Sequence, residues 1–176
     1  MTDDVLGALR AATAERHTVL DASLPLGGPA PTISDYRDHL VMLRDWLAPI
    51  ARWLDGFDAG PRVGAQRLPA IEQDLRLLGE LPALADSAPW PADASAAYRW
   101  GVCYVVEGSQ LGGAVLYKKL AGALAPHPLG YLKSEGNPGP LWRAFIDALR
   151  SHVQTADDIE EACAGARDAF DRLISR

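Results

Sequence analysis

The stretch that decides the fold is ISDYRDHLVMLRDWLAPIARWLDGF, residues 33–57. Its apolar side chains recur at alternating steps of four and three residues, which places them on one face of an α-helix. The members of this stripe are Tyr36, Leu40, Leu43, Leu47, Ile50, Leu54 and Phe57. The spacing predicts an amphipathic helix with one buried face, and Pro49 inside it predicts a kink.

Other segments repeat this helical spacing between clusters of glycine and proline, and no comparable run alternates strictly as a strand would. Helices are predicted over residues 3–22, from Pro69 to Gly79, over about 92–125, after Pro140, and in a last segment opened by Thr155 and Asp158. We find no internal repeat and no linker long enough to divide the chain. The sequence therefore predicts an all-α, single-domain bundle over residues 1–176.

Composition excludes several classes of function. The chain has 176 residues, a formal net charge of −6 and 48% hydrophobic residues, which is typical of an ordinary globular domain. An acidic chain is a poor binder of nucleic acid. Cys103 and Cys163 form neither a disulfide framework nor a metal-binding spacing. No secretory signal begins the chain, and charges interrupt its most apolar stretch, so we expect a cytoplasmic protein that does not enter a membrane.

His17 is the first candidate ligand. It shares a face of the first predicted helix with Leu6 and Leu24, each of which is within about 20° of it at 3.6 residues per turn. We therefore expect the imidazole to point into apolar surroundings. Two interpretations are open: a core histidine that binds a backbone carbonyl, or a ligand of a metal or heme iron in an apolar shell.

Arg10 precedes His17 by two helical turns on nearly the same face, about 10.5 Å along the axis. Its guanidinium could bind a carboxylate of a ligand held at His17, or it could be a solvated surface arginine. The remaining histidines, His39, His127 and His152, are expected at the surface.

The segment YVVEGSQLGGAVL, residues 104–116, carries the strongest signal. Each glycine inside a helix costs about 1 kcal/mol relative to alanine. Gly108 and Gly112 are four residues apart, so both expose bare backbone on one face. Close packing of another helix is one explanation. The other is a helix whose backbone lies flat against a planar ligand.

The glycine face holds no histidine or general acid, and its polar neighbours are Ser109 and Gln110. A peroxidase-like site needs an acid or base to split an O–O bond. The composition of this face therefore favours chemistry that leaves such a bond intact.

Three blocks of the chain resemble heme oxygenases. Leu9–His17 reads LRAATAERH and is similar to the proximal-helix pattern L-(R/K)-x-A-T-x-x-x-H, which ends in the axial histidine. Glu107–Gly113, EGSQLGG, resembles the distal helix of the family. A third, weaker block resembles bacterial members and consists of Tyr131, Gly136, Gly139, Trp142 and Phe145.

The resemblance implies a bundle with heme sandwiched between proximal and distal helices. His17 is then the proximal iron ligand, Arg10 a propionate-binding cation, and Gly108, Gly112 and Gly113 the distal backbone. The implied reaction uses O2 and external electrons: a hydroperoxide attacks a porphyrin meso carbon, and the products are biliverdin, CO and free iron. Implied partners are heme, an electron-donor protein or small reductant, and a biliverdin acceptor such as a phytochrome.

One departure concerns the distal side. Animal enzymes have an aspartate after the first distal glycine that orders distal water, and this chain has Ser109 there. The water network is then organised differently, by Ser109, Gln110 or backbone carbonyls. Tyr104 is one residue out of register with the family tyrosine near the propionates. Arg143 and Arg150 are further candidates for propionate contacts.

Two alternatives to the enzyme remain at this point. One is a heme-binding or heme-trafficking protein on the same scaffold, in which heme is bound and its ring stays closed. The other is a fold relative without heme, such as a thiaminase-like helical protein. That second alternative gives no reason for His17 and the glycine face to occur together.

Overall fold

The computed structural model describes residues 4–58, 67–79, 81–133 and 138–176, and these ranges contain helices and no strand. The all-α prediction is therefore confirmed. The helices are α1 (Val5–Ser23), α2 (Ile33–Trp53), α3 (Arg67–Leu77), α4 (Ala96–Ala123), α5 (Pro138–His152) and α6 (Ala156–Ile174), with a short 3-10 helix at Pro25–Gly27.

Side-chain caps fix where several helices begin. Asp35 N–H donates to the Thr32 hydroxyl over 3.2 Å, and Thr32 N–H donates to the Asp35 carboxylate over 2.8 Å. Thr155 and Asp158 form the same reciprocal capping box at the start of α6, as the sequence predicts. In contrast, α3 begins at Arg67, two residues before the predicted Pro69. Proline fits any position of the first helical turn, where no intrahelical N–H bond is needed.

Helix α6 forms the centre of the bundle and packs on both α4 and α1. Two glycines allow the α4–α6 contact to be close. A β-carbon on Gly101 would overlap the carbonyl oxygen of Ala162, and one on Gly165 would overlap that of Tyr98. The packing role that the sequence left open for the α4 glycines thus belongs to Gly101.

The core is apolar and continuous from α1 to α6. Trp46 and Trp100 are its largest fully buried side chains, and the Trp46 indole donates a 3.0 Å hydrogen bond to the carbonyl of Ala169. This bond joins α2 to α6. Among the described residues, no helix is both long and apolar enough to cross a membrane.

Some predictions fall outside this description. Gly136 of the third sequence block and residues 60–66 of a predicted loop lie outside the described residues. Pro49 lies inside α2, as expected, and the kink stays a prediction.

Candidate functional site

His17 lies at the point where the buried row of α1 leaves the core. Val5, Leu9 and Thr13 are buried at steps of four residues, and His17 is the next position in this row. Its side chain is 65% exposed, so the expectation of apolar surroundings is wrong. The His17 ring keeps a contact with α6, 6.0 Å from the Phe170 ring, but most of the side chain faces away from the core.

The His17 imidazole is held by the next turn of its own helix. Its Nδ1 atom lies 2.9 Å from Oδ2 of Asp21. A carboxylate accepts hydrogen bonds, so this contact favours the tautomer with hydrogen on Nδ1. The lone pair of Nε2 is then available to a metal ion, in the arrangement that carboxylates impose on ligating histidines.

The glycines at positions 108, 112 and 113 of α4 are not required for close packing of the helix. A β-carbon on Gly108 would meet the Trp142 indole at 3.7 Å, and one on Gly113 would meet Leu132 at 3.7 Å, both ordinary van der Waals distances. A β-carbon on Gly112 would have no neighbour within 4 Å. Since no protein atom requires these glycines, the small residues leave room for something else.

Helices α1 and α4 both pack on α6 but scarcely touch each other. They are linked at two places. Burial raises the pKa of Tyr104 on α4, and the charge of Arg10 on α1 opposes that rise, so Arg10 lies within electrostatic range of Tyr104. Further along, the Lys119 ammonium donates to the carbonyls of Gly27 and Gly28, over 2.5 and 3.1 Å, just beyond α1.

These two links show how α1 and α4 run side by side. The charge of Arg10 acts on Tyr104, and Gly27 accepts a hydrogen bond from Lys119. His17 lies between the α1 links, and Gly108 to Gly113 lie between the α4 links. We call the space between α1 and α4 along these stretches the α1–α4 slot.

Other predicted site residues have definite surroundings. The Ser109 hydroxyl donates to the Val106 carbonyl over 2.7 Å and accepts from the Arg67 guanidinium over 3.0 Å. Gln110 is half-buried.

The candidate propionate-binding arginines differ in their surroundings. Arg10 and Arg143 are exposed, whereas Arg150 forms two hydrogen bonds with the Asp4 carboxylate, over 2.9 and 2.7 Å. Arg150 is thus already paired with a protein carboxylate.

The weak third block of the sequence has members at this site. The Trp142 ring packs beside Gly108 and lies 5.7 Å from the Tyr104 ring, so α5 contributes an aromatic wall. Tyr131 accepts a 2.5 Å hydrogen bond from Arg67. These residues support α4 at its glycines.

Sequence reasoning missed a group of polar residues, buried or half-buried, that includes His39, Arg67 and Glu107. Burial lowers the pKa of His39 to about 4, and the nearby Arg67 charge adds to the effect. His39 was expected at the surface, and that expectation is wrong, because its ring Nδ1 is buried. Burial also raises the pKa of Glu107 to about 8, with Arg67 opposing the rise.

Few features of the sequence could have revealed these polar residues. Glu107 stands beside Gly108 in the quoted motif, and a carboxylate inside an apolar helix was a visible signal. Asp21 was also visible, since it follows His17 by four residues and therefore lies one turn away. Arg67 precedes the apolar pattern of α3, and His39 interrupts that of α2. Nothing in the neighbouring sequence indicates that either side chain is buried.

In chemical terms, α1 offers an imidazole nitrogen and α4 offers bare backbone. A planar ligand that carries a metal would use both, because imidazole binds metals and glycine permits a close approach. Arg10 is an exposed cation of the kind that binds carboxylates. Among the described residues, no cluster of three or more acidic, histidine or cysteine side chains could hold a metal by itself.

Comparison with known proteins gives a consistent result. Residues 91–175 match the sequence profile described as heme oxygenase. The chain is 35% identical over 137 residues to a heme oxygenase of Xanthomonas campestris, covering 76% of this chain and 81% of that protein. It is 33% identical over 107 residues to the heme oxygenase PigA of Pseudomonas aeruginosa, covering 59% of this chain and 54% of PigA.

A solved structure has the same fold. The NO- and CO-bound heme oxygenase from Neisseria meningitidis superposes with a TM-score of 0.69 at 29% identity, covering 98% of this chain and 89% of that one.

Proposed function

This chain belongs to the heme oxygenase family, and from that premise we propose that it binds heme in the α1–α4 slot and opens the porphyrin ring. O2 and electrons from an external donor are consumed, and biliverdin, CO and free iron are released. The observation that carries the proposal is that no protein atom requires the glycines at positions 108, 112 and 113 of α4. Heme in the slot, with His17 on the opposite wall, would account for them.

His17 is the residue that would hold the iron. The Asp21 carboxylate fixes the Nδ1 hydrogen and leaves Nε2 to bind the metal. The present exposure of His17 suits this role, because an imidazole already packed against α4 would leave no room for a porphyrin. Arg10, on the same helix, would pair with a propionate.

The α4 side would determine where the ring can be attacked. Bare backbone at Gly108 and Gly112 allows the helix to lie close above the porphyrin face. The Trp142 ring beside Gly108 excludes water from one edge of this region. Heme itself supplies the chemistry with O2, and the protein contributes position, exclusion of water and control of protons.

Ser109 takes the position at which animal enzymes have an aspartate, and its hydrogen bonds limit what it does. Its one hydroxyl proton goes to the Val106 carbonyl. Towards the slot, Ser109 can therefore accept a hydrogen bond but has no proton to donate. Protons for the reaction must come from solvent or from other groups near α4.

The test is reconstitution with hemin, followed by single-turnover spectra under air with ascorbate as the electron donor. Loss of the Soret band with growth of a biliverdin band supports the enzyme. A Soret band that persists supports the non-catalytic heme-binding alternative. A chain that binds no hemin contradicts both.

Several finer points belong to the same proposal. The whole chain, residues 1–176, acts as one heme oxygenase-like domain. Its electrons come from a donor protein or a small reductant, and biliverdin passes to an acceptor such as a phytochrome. Pull-down with a flavin or iron–sulfur reductase of the source cell, followed by a biliverdin assay, tests the first of these partners.

A further inference from the structure

A cavity lies between α2, the segment that joins α3 to α4, and the end of α6. Its lining includes aromatic, apolar and charged side chains: Trp46, Pro49, Asp86, Trp90, Arg172 and Arg176. None of the described residues that line it belongs to α1 or α4. The cavity is therefore distinct from the α1–α4 slot, and the proposed function makes no use of it.

The cavity is too large to be filled by one water molecule. It encloses about 220 Å³, whereas a water molecule occupies about 30 Å³ in the liquid. Small-molecule sites in proteins are concave and mostly apolar, and they carry a few polar groups that fix the ligand. The size and the mixed lining of this cavity fit a small organic molecule.

The wall formed by the joining segment is held by neighbouring side chains. The Arg172 guanidinium donates to the carbonyls of Ala88 and Pro89, over 2.8 and 3.2 Å, and lies 4.0 Å from the centre of the Trp90 ring. On α2, Trp53 stacks on the Trp90 ring at 5.0 Å. The wall thus exists before a ligand arrives, which reduces the entropy that binding costs.

The α2 side of the cavity is apolar. Trp46 is 2% exposed, and its indole N–H already donates to the carbonyl of Ala169 over 3.0 Å. Pro49 has neither a side-chain donor nor a backbone N–H. Neither residue therefore offers a side-chain hydrogen bond to a ligand, and the part of a ligand that lies against them must be apolar.

Two residues of the lining carry opposite charges that the protein does not pair. Arg172 forms an ion pair with Asp168 at 3.0 Å. Arg176 and Asp86, in contrast, form no ion pair with any side chain in the described ranges. Arg176 Nη1 donates to the backbone carbonyl of Asp86 over 3.2 Å, so the two residues are adjacent. The cavity thus has one cation and one anion side by side.

We propose that this cavity binds a small zwitterion of the α-amino acid class with an apolar side chain. The ligand carboxylate pairs with the Arg176 guanidinium, and the ligand ammonium group donates to the Asp86 carboxylate. The apolar side chain lies against Trp46 and Pro49. A ligand with a single charge would leave Arg176 or Asp86 uncompensated. The inference goes beyond the proposed function and does not depend on heme.

The location of the site is tested by NMR of the 15N-labelled protein without heme, titrated with L-phenylalanine. We expect the indole N–H peaks of Trp46 and Trp90 to shift with saturation. The peak of Trp142, which packs beside Gly108 of α4, should stay in place. Absence of any shift overturns the proposal. A shift of Trp142 without Trp46 and Trp90 also overturns it, because the ligand would then occupy the slot.

The chemical class of the ligand is tested with three analogues of L-phenylalanine. 3-Phenylpropionate lacks the ammonium group, phenethylamine lacks the carboxylate, and glycine lacks the apolar side chain. Each should bind about tenfold more weakly than L-phenylalanine or worse. An analogue that binds as tightly as L-phenylalanine shows that the missing group is not recognised, and this contradicts the assigned class.

The roles of the two charges are tested with single substitutions. Arg176→Gln and Asp86→Asn should each weaken L-phenylalanine binding about tenfold. Arg176→Gln should still bind phenethylamine as the wild type does, and Asp86→Asn should still bind 3-phenylpropionate as the wild type does. Arg52→Gln, at an exposed arginine of α2 outside the lining, is the control and should bind all probes normally. Wild-type affinity for L-phenylalanine in Arg176→Gln or Asp86→Asn overturns the proposal.

Discussion

The Nδ1 atom of His17 lies 2.9 Å from the Asp21 carboxylate, one turn further along α1. The contact joins two exposed side chains of one helix, a pair that contributes little to stability in water. In the proposed function its value lies in the tautomer that it favours, because hydrogen on Nδ1 leaves Nε2 free to bind iron.

The first prediction concerns this pair. Asp21→Asn replaces the charged acceptor by a neutral amide and makes the imidazole a weaker electron donor. We expect the Fe–His stretching frequency of the ferrous hemin complex to fall and its reduction potential to rise. Resonance Raman spectroscopy and a redox titration measure these quantities. The control is Asp171→Asn on α6, which removes the carboxylate paired with Arg16 of α1. Equal spectra in wild type and Asp21→Asn would contradict the assigned role.

The glycine face gives the second prediction, with a control in the same helix. Gly112 and Gly122 both lie in α4 with no atom within 4 Å of an added β-carbon. Each change to alanine should stabilise the apoprotein by about 0.5–1 kcal/mol. Gly112→Ala should also slow biliverdin formation, whereas Gly122→Ala should not. Equal turnover in the two variants would mean that Gly112 does not face heme.

Gly101→Ala should behave in the opposite way. Its β-carbon would overlap the Ala162 carbonyl, so α4 and α6 would have to separate. We expect destabilisation of about 1–3 kcal/mol or more in thermal unfolding. Turnover for each folded molecule should remain close to wild type. This contrast separates glycines that serve packing from those that serve the ligand.

The sequence predicts much of the fold and part of the candidate site, for reasons that can be traced to particular residues. The stripe from Tyr36 to Phe57 and the Thr155–Asp158 cap are local patterns, and local geometry is sufficient to place them. The surroundings of His17 were predicted wrongly, because helical periodicity shows which face a residue shares but not where the packing partner ends. The burial of the His39 ring nitrogen depends on residues distant in the sequence, which no local pattern contains.

Arg10 is the subject of the third prediction. Arg10→Glu replaces an attractive contact with a propionate by a repulsive one, and hemin affinity should fall about tenfold, which corresponds to ~1.4 kcal/mol. Arg76→Glu makes the same change of charge on α3 and should leave the affinity unchanged. Fluorescence quenching on hemin titration measures both. Identical dissociation constants would make Arg10 a surface residue.

Glu107 gives a prediction about pH. Burial raises the pKa of Glu107 from 4.5 to about 8, so the folded state holds a proton that the unfolded state releases. Stability from this group is present below pH 4.5 and is lost as pH rises through about 8. The difference in unfolding free energy between Glu107→Gln and wild type should therefore grow in favour of the variant across this window. Denaturant titrations at several pH values measure it.

The comparison with Glu107→Gln is needed because His39 acts in the opposite direction. Burial lowers the pKa of His39 from 6.5 to about 4, so its contribution is lost as pH falls from 6.5 through 4. The wild-type curve alone would mix both groups. A difference curve that stays flat between pH 4.5 and 8 would show that the Glu107 carboxyl is ionised and solvated.

The central claim is that His17 holds heme iron in the slot between α1 and α4. The most direct measurement is the absorption spectrum of the hemin complex of His17→Ala, beside those of wild type and of His127→Ala, a change in an exposed loop. We predict that wild type and His127→Ala bind one hemin with the same Soret band. In His17→Ala the band should shift, and added imidazole should restore it. An unchanged Soret band in His17→Ala would contradict the account.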